Sequence, residues 1–225
     1  MTVGEDMGGR RERRKAQTRA EVRATAQRLF AERGFDAVTI ADVAAAADVA
    51  VQTVFNHFET KEALFFDDRT PWVEGIAAAV AGRRPGSSPL TAMRDFLQAD
   101  LTAQLEQESG PEKRDYLEAL ARSASLQAGE RTLVEQAGDL VARELTAAIT
   151  ADSPGAPMAA VEVLSRLAAD LFVIAGRVLV LDHRRHVLAA GPELRRPVHS
   201  TTTVTLGMLE HGVRDLAARL GVPVD

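Results

Sequence analysis

The chain has 225 residues, a formal net charge of −5 and no cysteine. Disulfides, thiolate metal sites and cysteine nucleophiles are thereby excluded, and the length allows a sizeable core. Apolar residues are mainly Ala, Leu and Val with few aromatics, the composition of an Ala-rich helical protein. No apolar run approaches the ~18 residues of a membrane helix, and the charged start has no hydrophobic stretch behind it as a secretory signal would. A soluble, cytoplasmic protein with no membrane partner is expected.

Charge is unevenly spread. Between Arg10 and Arg33 stand nine Lys or Arg against three Glu, a local excess of six positive charges. A basic segment on an acidic chain points one end of the molecule at a polyanion; a solvated tail is the plain alternative.

Residues 1–16 are expected to be a disordered basic arm. Thr18 and Glu21 form a capping-box pattern, so the first helix is predicted to start near Arg19, with Val22, Ala26, Leu29 and Phe30 on its apolar face and Gly34 as its stop. Thr39 with Asp42 repeats the start signal for a short second helix bearing Ile40, Val43, Ala44 and Ala47. Asp48 stands at a turn. Val49 to Phe58 is the predicted third helix. Thr60 caps a fourth, and Pro71 kinks or breaks it.

"GRRPGSSP", residues 82–89, is a loop, and Ser88-Pro89 opens a further helix. It carries Leu90, Met93, Leu97, Leu101 and Leu105. "ESGPE" interrupts it. Helices bearing Tyr116, Leu117 and Leu120, and then Leu133 to Ile149, follow. "ADSPGAP", residues 151–157, is a linker. A strongly apolar helix runs from Met158 to about Leu188. After "AAGPELRRP" a last helix bears Leu206, Leu209, Val213, Leu216 and Leu220, a three-and-four spacing suited to another helix. The fold class is all-α with about nine helices: residues 17–65 as a three-helix unit, and 66–225 as a longer helical unit.

The stretch "VAVQTVFNHFETK", residues 49–61, mixes apolar anchors with short polar tips. The second helix, a tight turn and the third helix make a helix-turn-helix, whose second helix lies in the DNA major groove. Val43, Val49, Val54 and Phe58 are expected to hold that helix down. Val51, Gln52 and Asn56 face outward, where Gln and Asn suit adenine edges and Val a thymine methyl. Thr39, Thr53, His57 and Lys61 are placed to grip phosphates. Each has a plainer reading as a solvated side chain.

The segment from Ala26 to Phe65, "AQRLFAERGFDAVTIADVAAAADVAVQTVFNHFETKEALF", resembles the TetR family of bacterial transcriptional regulators. The landmarks are Leu29-Phe30, Gly34-Phe35, Thr39-Ile40, Thr53-Val54, Phe55 to Phe58, Lys61-Glu62 and Leu64. The resemblance covers the first quarter of the chain and extends to the rest only in layout. It implies residues 17–65 as a helix-turn-helix DNA-binding domain and 66–225 as a helical effector-binding and dimerisation domain, a homodimer joined through its last two helices, a double-stranded DNA operator of near-palindromic sequence, a repressor more often than an activator, and a small-molecule effector bound among the later helices. Three positions depart from the family pattern. Asp48 stands where glycine is usual, Ala50 where a serine caps the recognition helix, and Phe55 where a tyrosine is usual.

Trp72, Phe96, Tyr116 and Phe172 are the expected effector-pocket residues, an apolar lining of the kind small-molecule sites use. Arg94, Arg122 and Arg177 are candidates for an anionic head on the ligand. Asp182, His183 and His186 have spacing that suits a metal, but the polar end of a long helix explains them better, and no metal or cofactor is expected. No nucleophile, base and orienting partner assemble from the sequence, so an enzyme is not expected; a helical-bundle enzyme acting on a small apolar substrate is the rival reading.

Overall fold

Among the described residues every regular element is an α-helix. The computed structural model describes residues 4–106, 111–189 and 195–224, with the side chains of 9–103, 113–185 and 201–224. Ten helices follow in order: α1 Gly4–Arg33, α2 Ile40–Ala46, α3 Val51–Phe55, α4 Lys61–Phe66, α5 Trp72–Ala81, α6 Pro89–Glu106, α7 Pro111–Arg122, α8 Ala124–Asp152, α9 Met158–Ala189 and α10 Arg195–Arg219. The tenth arises at Pro71. Instead of kinking one helix it caps α5, while α4 has already ended at Phe66.

The first helix is longer than expected. Residues 4–16 continue α1 instead of forming a disordered arm. Neither glycine nor proline occurs between Arg10 and Arg33, and Arg, Lys, Glu, Gln and Ala are strong helix formers. Thr18 therefore lies inside the helix and caps nothing. Gly34 does end it, with a backbone φ of 84° and its N–H on the Phe30 carbonyl at 2.9 Å.

The chain divides into two compact units. The first comprises Met1–Thr70 and Asp115–Gly129, and the second Pro71–Arg114 and Glu130–Asp225. In the first, α1 buries Val22, Ala26, Leu29 and Phe30 against Phe35, Val38, Val43, Val54, Phe58 and Phe65. Phe30, Phe35 and Phe65 form a ring cluster with centroids 5.1–5.9 Å apart. Residues 115–129 close this core: Leu117, Leu120 and Leu126 are buried. The Ser123 hydroxyl donates to Asp36 at 2.8 Å, and the Ser125 hydroxyl donates to Glu62.

The second unit is a bundle of α5, α6, α9 and α10 with most of α8, packed around Leu90, Met93, Leu97, Val141, Leu145, Leu164, Phe172 and Leu206. α10 packs on α6 and α9. Its expected seam is spent inside the chain. Leu206 and Val213 are buried, and Leu209, Leu216 and Leu220 pack half-buried against the same core. The apolar side chains left in solvent lie elsewhere. They are Met158 at the start of α9, then Val163, Leu167, Leu171, Ile174 and Val178 on the same helix, at spacings of four, four, three and four, and Val204 and Met208 on α10.

Candidate nucleic-acid interface

Two short helices and the turn between them position the candidate reading residues. α2 starts at a full capping box: the Asp42 N–H donates to the Thr39 hydroxyl at 3.1 Å, and the Thr39 N–H donates to the Asp42 carboxylate at 2.8 Å. The helix ends in a Schellman turn, with the Val49 N–H on the Ala44 carbonyl at 3.0 Å and the Asp48 N–H on that of Ala45. Asp48 takes the left-handed position at φ 53°. Aspartate tolerates that conformation better than most residues, so the turn forms without the usual glycine. α3 then starts at Ala50, which offers no side-chain cap.

α3 is only Val51–Phe55, half the expected Val49–Phe58. Asn56 caps it, and the turn at Asn56-His57 sets Phe58 back into the core. The anchors Val43, Val54 and Phe58 are buried, and Val49 is half-buried. On the other side Val51, Gln52, Phe55 and Asn56 are exposed, with Thr53 and His57 half-buried. One short helix thus presents two apolar and two amide side chains to solvent. Phe55 does not pack as its ring suggests. Val54 and Phe58 take the inward positions, and Phe55, one turn from Val51, shares the outer face at 45% exposure.

Gln52 Nε2 donates to Asn56 Oδ1 at 3.2 Å. Gln52 keeps its carbonyl and one N–H, the pair an adenine edge requires. Asn56 acts on that arrangement from behind, holding the glutamine's orientation.

The expected phosphate grips divide. His57 and Thr53 stand at the margin of the reading face. Burial, then the positive charges of Arg19 and Lys15, hold the His57 imidazole below its ordinary 6.5. Thr39 is spent as a cap, because its hydroxyl donates its single proton to Asp42 at 2.6 Å. Those bonds hold the Asp42 carboxyl below its usual range. Lys61 is built into the fold. Its ammonium donates to the carbonyls of Phe35 and Val38, each at 3.0 Å, and sits 4.2 Å from the centre of the Phe35 ring. It pins the start of α4 to the loop between α1 and α2.

Arg19 was not among the expected site residues. Its guanidinium donates to the His57 carbonyl and to Asp67 at 2.5 Å, and lies 4.3 Å from the Phe58 ring centre. Arg23 adds ion pairs to Asp67 at 3.5 Å and Asp68 at 3.0 Å. Helical spacing could have found Arg19, since it precedes buried Val22 by three residues.

The candidate pocket residues do not gather as four. Phe172 is wholly buried in the core of the second unit, and Trp72 and Phe96 pack half-buried against that core. The tip of the Phe96 ring closes on Gly75, where a Cβ would come within 2.2 Å of its Cζ. Tyr116 belongs to the first unit and stacks on Phe65 at 5.0 Å, with Arg69 over it. Leu117 and Leu120 draw that end of α7 into the first core, which spacing within one helix does not reveal. Arg94 pairs with Asp95 and Glu210, and Arg122 with Glu118; the Nε of Arg177 is buried without a hydrogen bond. A wide surface groove of about 660 Å³ on α8, lined by Ala142, Thr146, Thr150 and Glu162 among others, contains none of the expected rings. Among the described residues no group of three His, Cys, Asp or Glu is arranged to hold a metal; the side chain of His186 lies outside them. No helix there is long and apolar enough to cross a membrane.

A capped helix, a left-handed turn and a short helix with one buried face and one exposed face of two apolar and two amide side chains define a helix-turn-helix of the DNA-binding kind, in a chain that also carries a second helical unit. Residues 22–67 match the family model described as bacterial regulatory proteins, tetR family. The transcriptional regulator TcmR of Streptomyces glaucescens is 32% identical over 93 residues, a match that spans 41% of this chain and 41% of that protein. Over most of its length the chain also matches solved structures in fold. NalD, the secondary repressor of the MexAB-OprM multidrug efflux pump in Pseudomonas aeruginosa, superposes with a TM-score of 0.52 at 19% identity, covering 88% of this chain and 97% of NalD. A SmeT–triclosan complex gives 0.52 at 17% identity, covering 87% and 91%. Residues 22–67 are thus a DNA-binding domain of the TetR family, and the chain shares the fold of NalD and of SmeT.

Proposed function

We propose that the chain is a ligand-responsive repressor that binds a near-palindromic DNA operator as a homodimer. The observation that carries this reading is the outer face of α3: Val51, Gln52, Phe55 and Asn56 exposed above a buried anchor of Val54 and Phe58. Gln52 reads a base edge, most simply an adenine, with Asn56 as its support. Val51 and Phe55 meet thymine methyl groups or the sugar edge.

The homodimer is supported by the uncovered apolar stripe of α9 and its neighbours Val204 and Met208 on α10. Met208 is 70% exposed, a high value for an apolar side chain of a monomer. A contiguous apolar face of this kind marks a protein–protein contact, and a two-fold contact between such helices places two reading heads on two half-sites.

The effector is a small, largely apolar molecule taken up in the second unit near Trp72, Phe96 and Phe172. A repressor and a triclosan complex among the proteins of this fold support that class of role and ligand. Such a ligand acts only through different affinity for the DNA-competent and DNA-incompetent states.

The test is an electrophoretic shift on DNA flanking the coding gene, competed with random duplex. Gln52→Ala should cost about 1–3 kcal/mol and relax preference at one base position. A variant that discriminates operator from scrambled DNA as well as the parent does would refute the readout assignment. Turnover of a small apolar substrate without DNA binding would favour the enzyme reading instead.

A further inference from the structure

The basic segment at the start of α1 has no role in the helix-turn-helix itself. It is a helix whose residues from Gly9 to Gln17 are all exposed. The apolar face of α1 carries Phe30, Leu29, Ala26 and Val22, all buried. Stepping back along that face in threes and fours reaches Arg19, then Lys15, then Arg11. At Arg19 the face meets the end of the recognition element, through the His57 carbonyl and the Phe58 ring. At 1.5 Å per residue, Lys15 lies about 6 Å and Arg11 about 12 Å further along the same side. Lys15 is near enough for its charge to act on the His57 imidazole.

We propose that Arg11 and Lys15 form a second DNA contact, a rigid cationic ridge that grips backbone phosphates just beyond the bases that α3 reads. The inference rests on the DNA-binding reading above. Arg10 and Arg14 lie about a quarter turn round the helix from that line at 3.6 residues per turn, and Arg13 Nε is turned back to the Gly9 carbonyl at 3.0 Å. Glu12 shares the ridge side, and its carboxylate opposes a phosphate there. The ridge lies outside the recognition helix and meets phosphates, which are the same at every base pair, so its contribution is independent of sequence. A helix presents these cations already ordered, where a disordered arm would lose entropy on binding.

The experiment measures how the binding constant falls with salt, on the upstream DNA and on a random duplex. Arg11→Ala/Lys15→Ala should lower the slope of log K against log salt by about 1.8, two phosphate contacts at about 0.9 each. Arg10→Ala/Arg14→Ala should change it by well under one contact. Glu12→Gln should tighten binding to both DNAs. Arg11→Gln/Lys15→Gln repeats the first test with a polar replacement, and circular dichroism checks that α1 is retained in each variant. An unchanged slope for the Arg11/Lys15 variants in a protein that binds operator would overturn the ridge and leave the regulator reading intact. Equal losses from the two Ala doubles would also overturn it, by showing a diffuse field instead of a sited contact. A parent protein that binds neither DNA would overturn the regulator reading itself.

Discussion

Lys61 offers the sharpest division between a side chain that binds DNA and one that holds the DNA-binding unit together. Its position in the motif suits a phosphate contact, yet its ammonium is shared between the Phe35 and Val38 carbonyls at 3.0 Å each. Lys61→Met keeps most of the stem and removes the charge. Hydrogen bonds to a charged group contribute about 1.5–3 kcal/mol each, and a partly exposed cation over a ring adds about 0.5–1. The side chain is half-buried, so water will restore part of what the two carbonyls lose. A net cost of about 2–3 kcal/mol to the first unit is expected. With a urea dependence of about 1–3 kcal/mol per molar, the unfolding midpoint should fall by about 1 M. Urea titration followed by circular dichroism measures this, and hydrogen exchange at the α1–α2 loop and at α4 locates it. The salt slope of DNA binding, measured below the new transition, should match the parent's. A stability equal to the parent's, together with a slope lower by about 0.9, would refute the argument and return Lys61 to the phosphate-contact role.

Ile174→Asp on α9 places a carboxylate in the uncovered apolar stripe, and sedimentation should show monomer with much weakened operator binding; Leu216→Asp strikes the chain's own core and should instead lower the melting temperature. Asp48→Gly removes the side chain from a left-handed position and should stabilise the first unit by about 0.5–1 kcal/mol, read as a higher melting temperature. The His57 imidazole is held below 6.5 in the folded chain, so the unfolded chain takes up that proton first. Stability from this group is complete above about 6.5 and declines as pH falls below it; His57→Gln should flatten that part of the stability–pH curve.

Local chemistry made much of the fold legible before any coordinates. Capping residues and glycine act within one helical turn, so Thr39, Thr60, Gly34 and Pro89 mark real helix ends. The left-handed Asp48 follows from the need for a tight turn between two short helices, and the buried side of α3 from the spacing of Val54 and Phe58. The same local logic overreached where a pattern has two readings. Thr18 with Glu21 looks like a cap, but the residues before it are strong helix formers and the helix runs through.

Tertiary packing decided the rest, because a side chain's partner is a property of distant residues. Nothing near Lys61 in sequence says that the Phe35 and Val38 carbonyls will claim its charge, 26 and 23 residues away. Tyr116 shares a helical pattern with later core residues, yet it stacks on Phe65 because residues 115–129 close the first unit's core. Both α9 and α10 carry apolar residues at helical spacing in the sequence. Only packing shows that Leu206, Leu209, Val213 and Leu216 are covered within the chain while Leu171, Ile174, Val204 and Met208 are not. Periodicity assigns a residue to a face of its helix; which neighbour covers that face depends on how the whole chain shares out its limited apolar contacts.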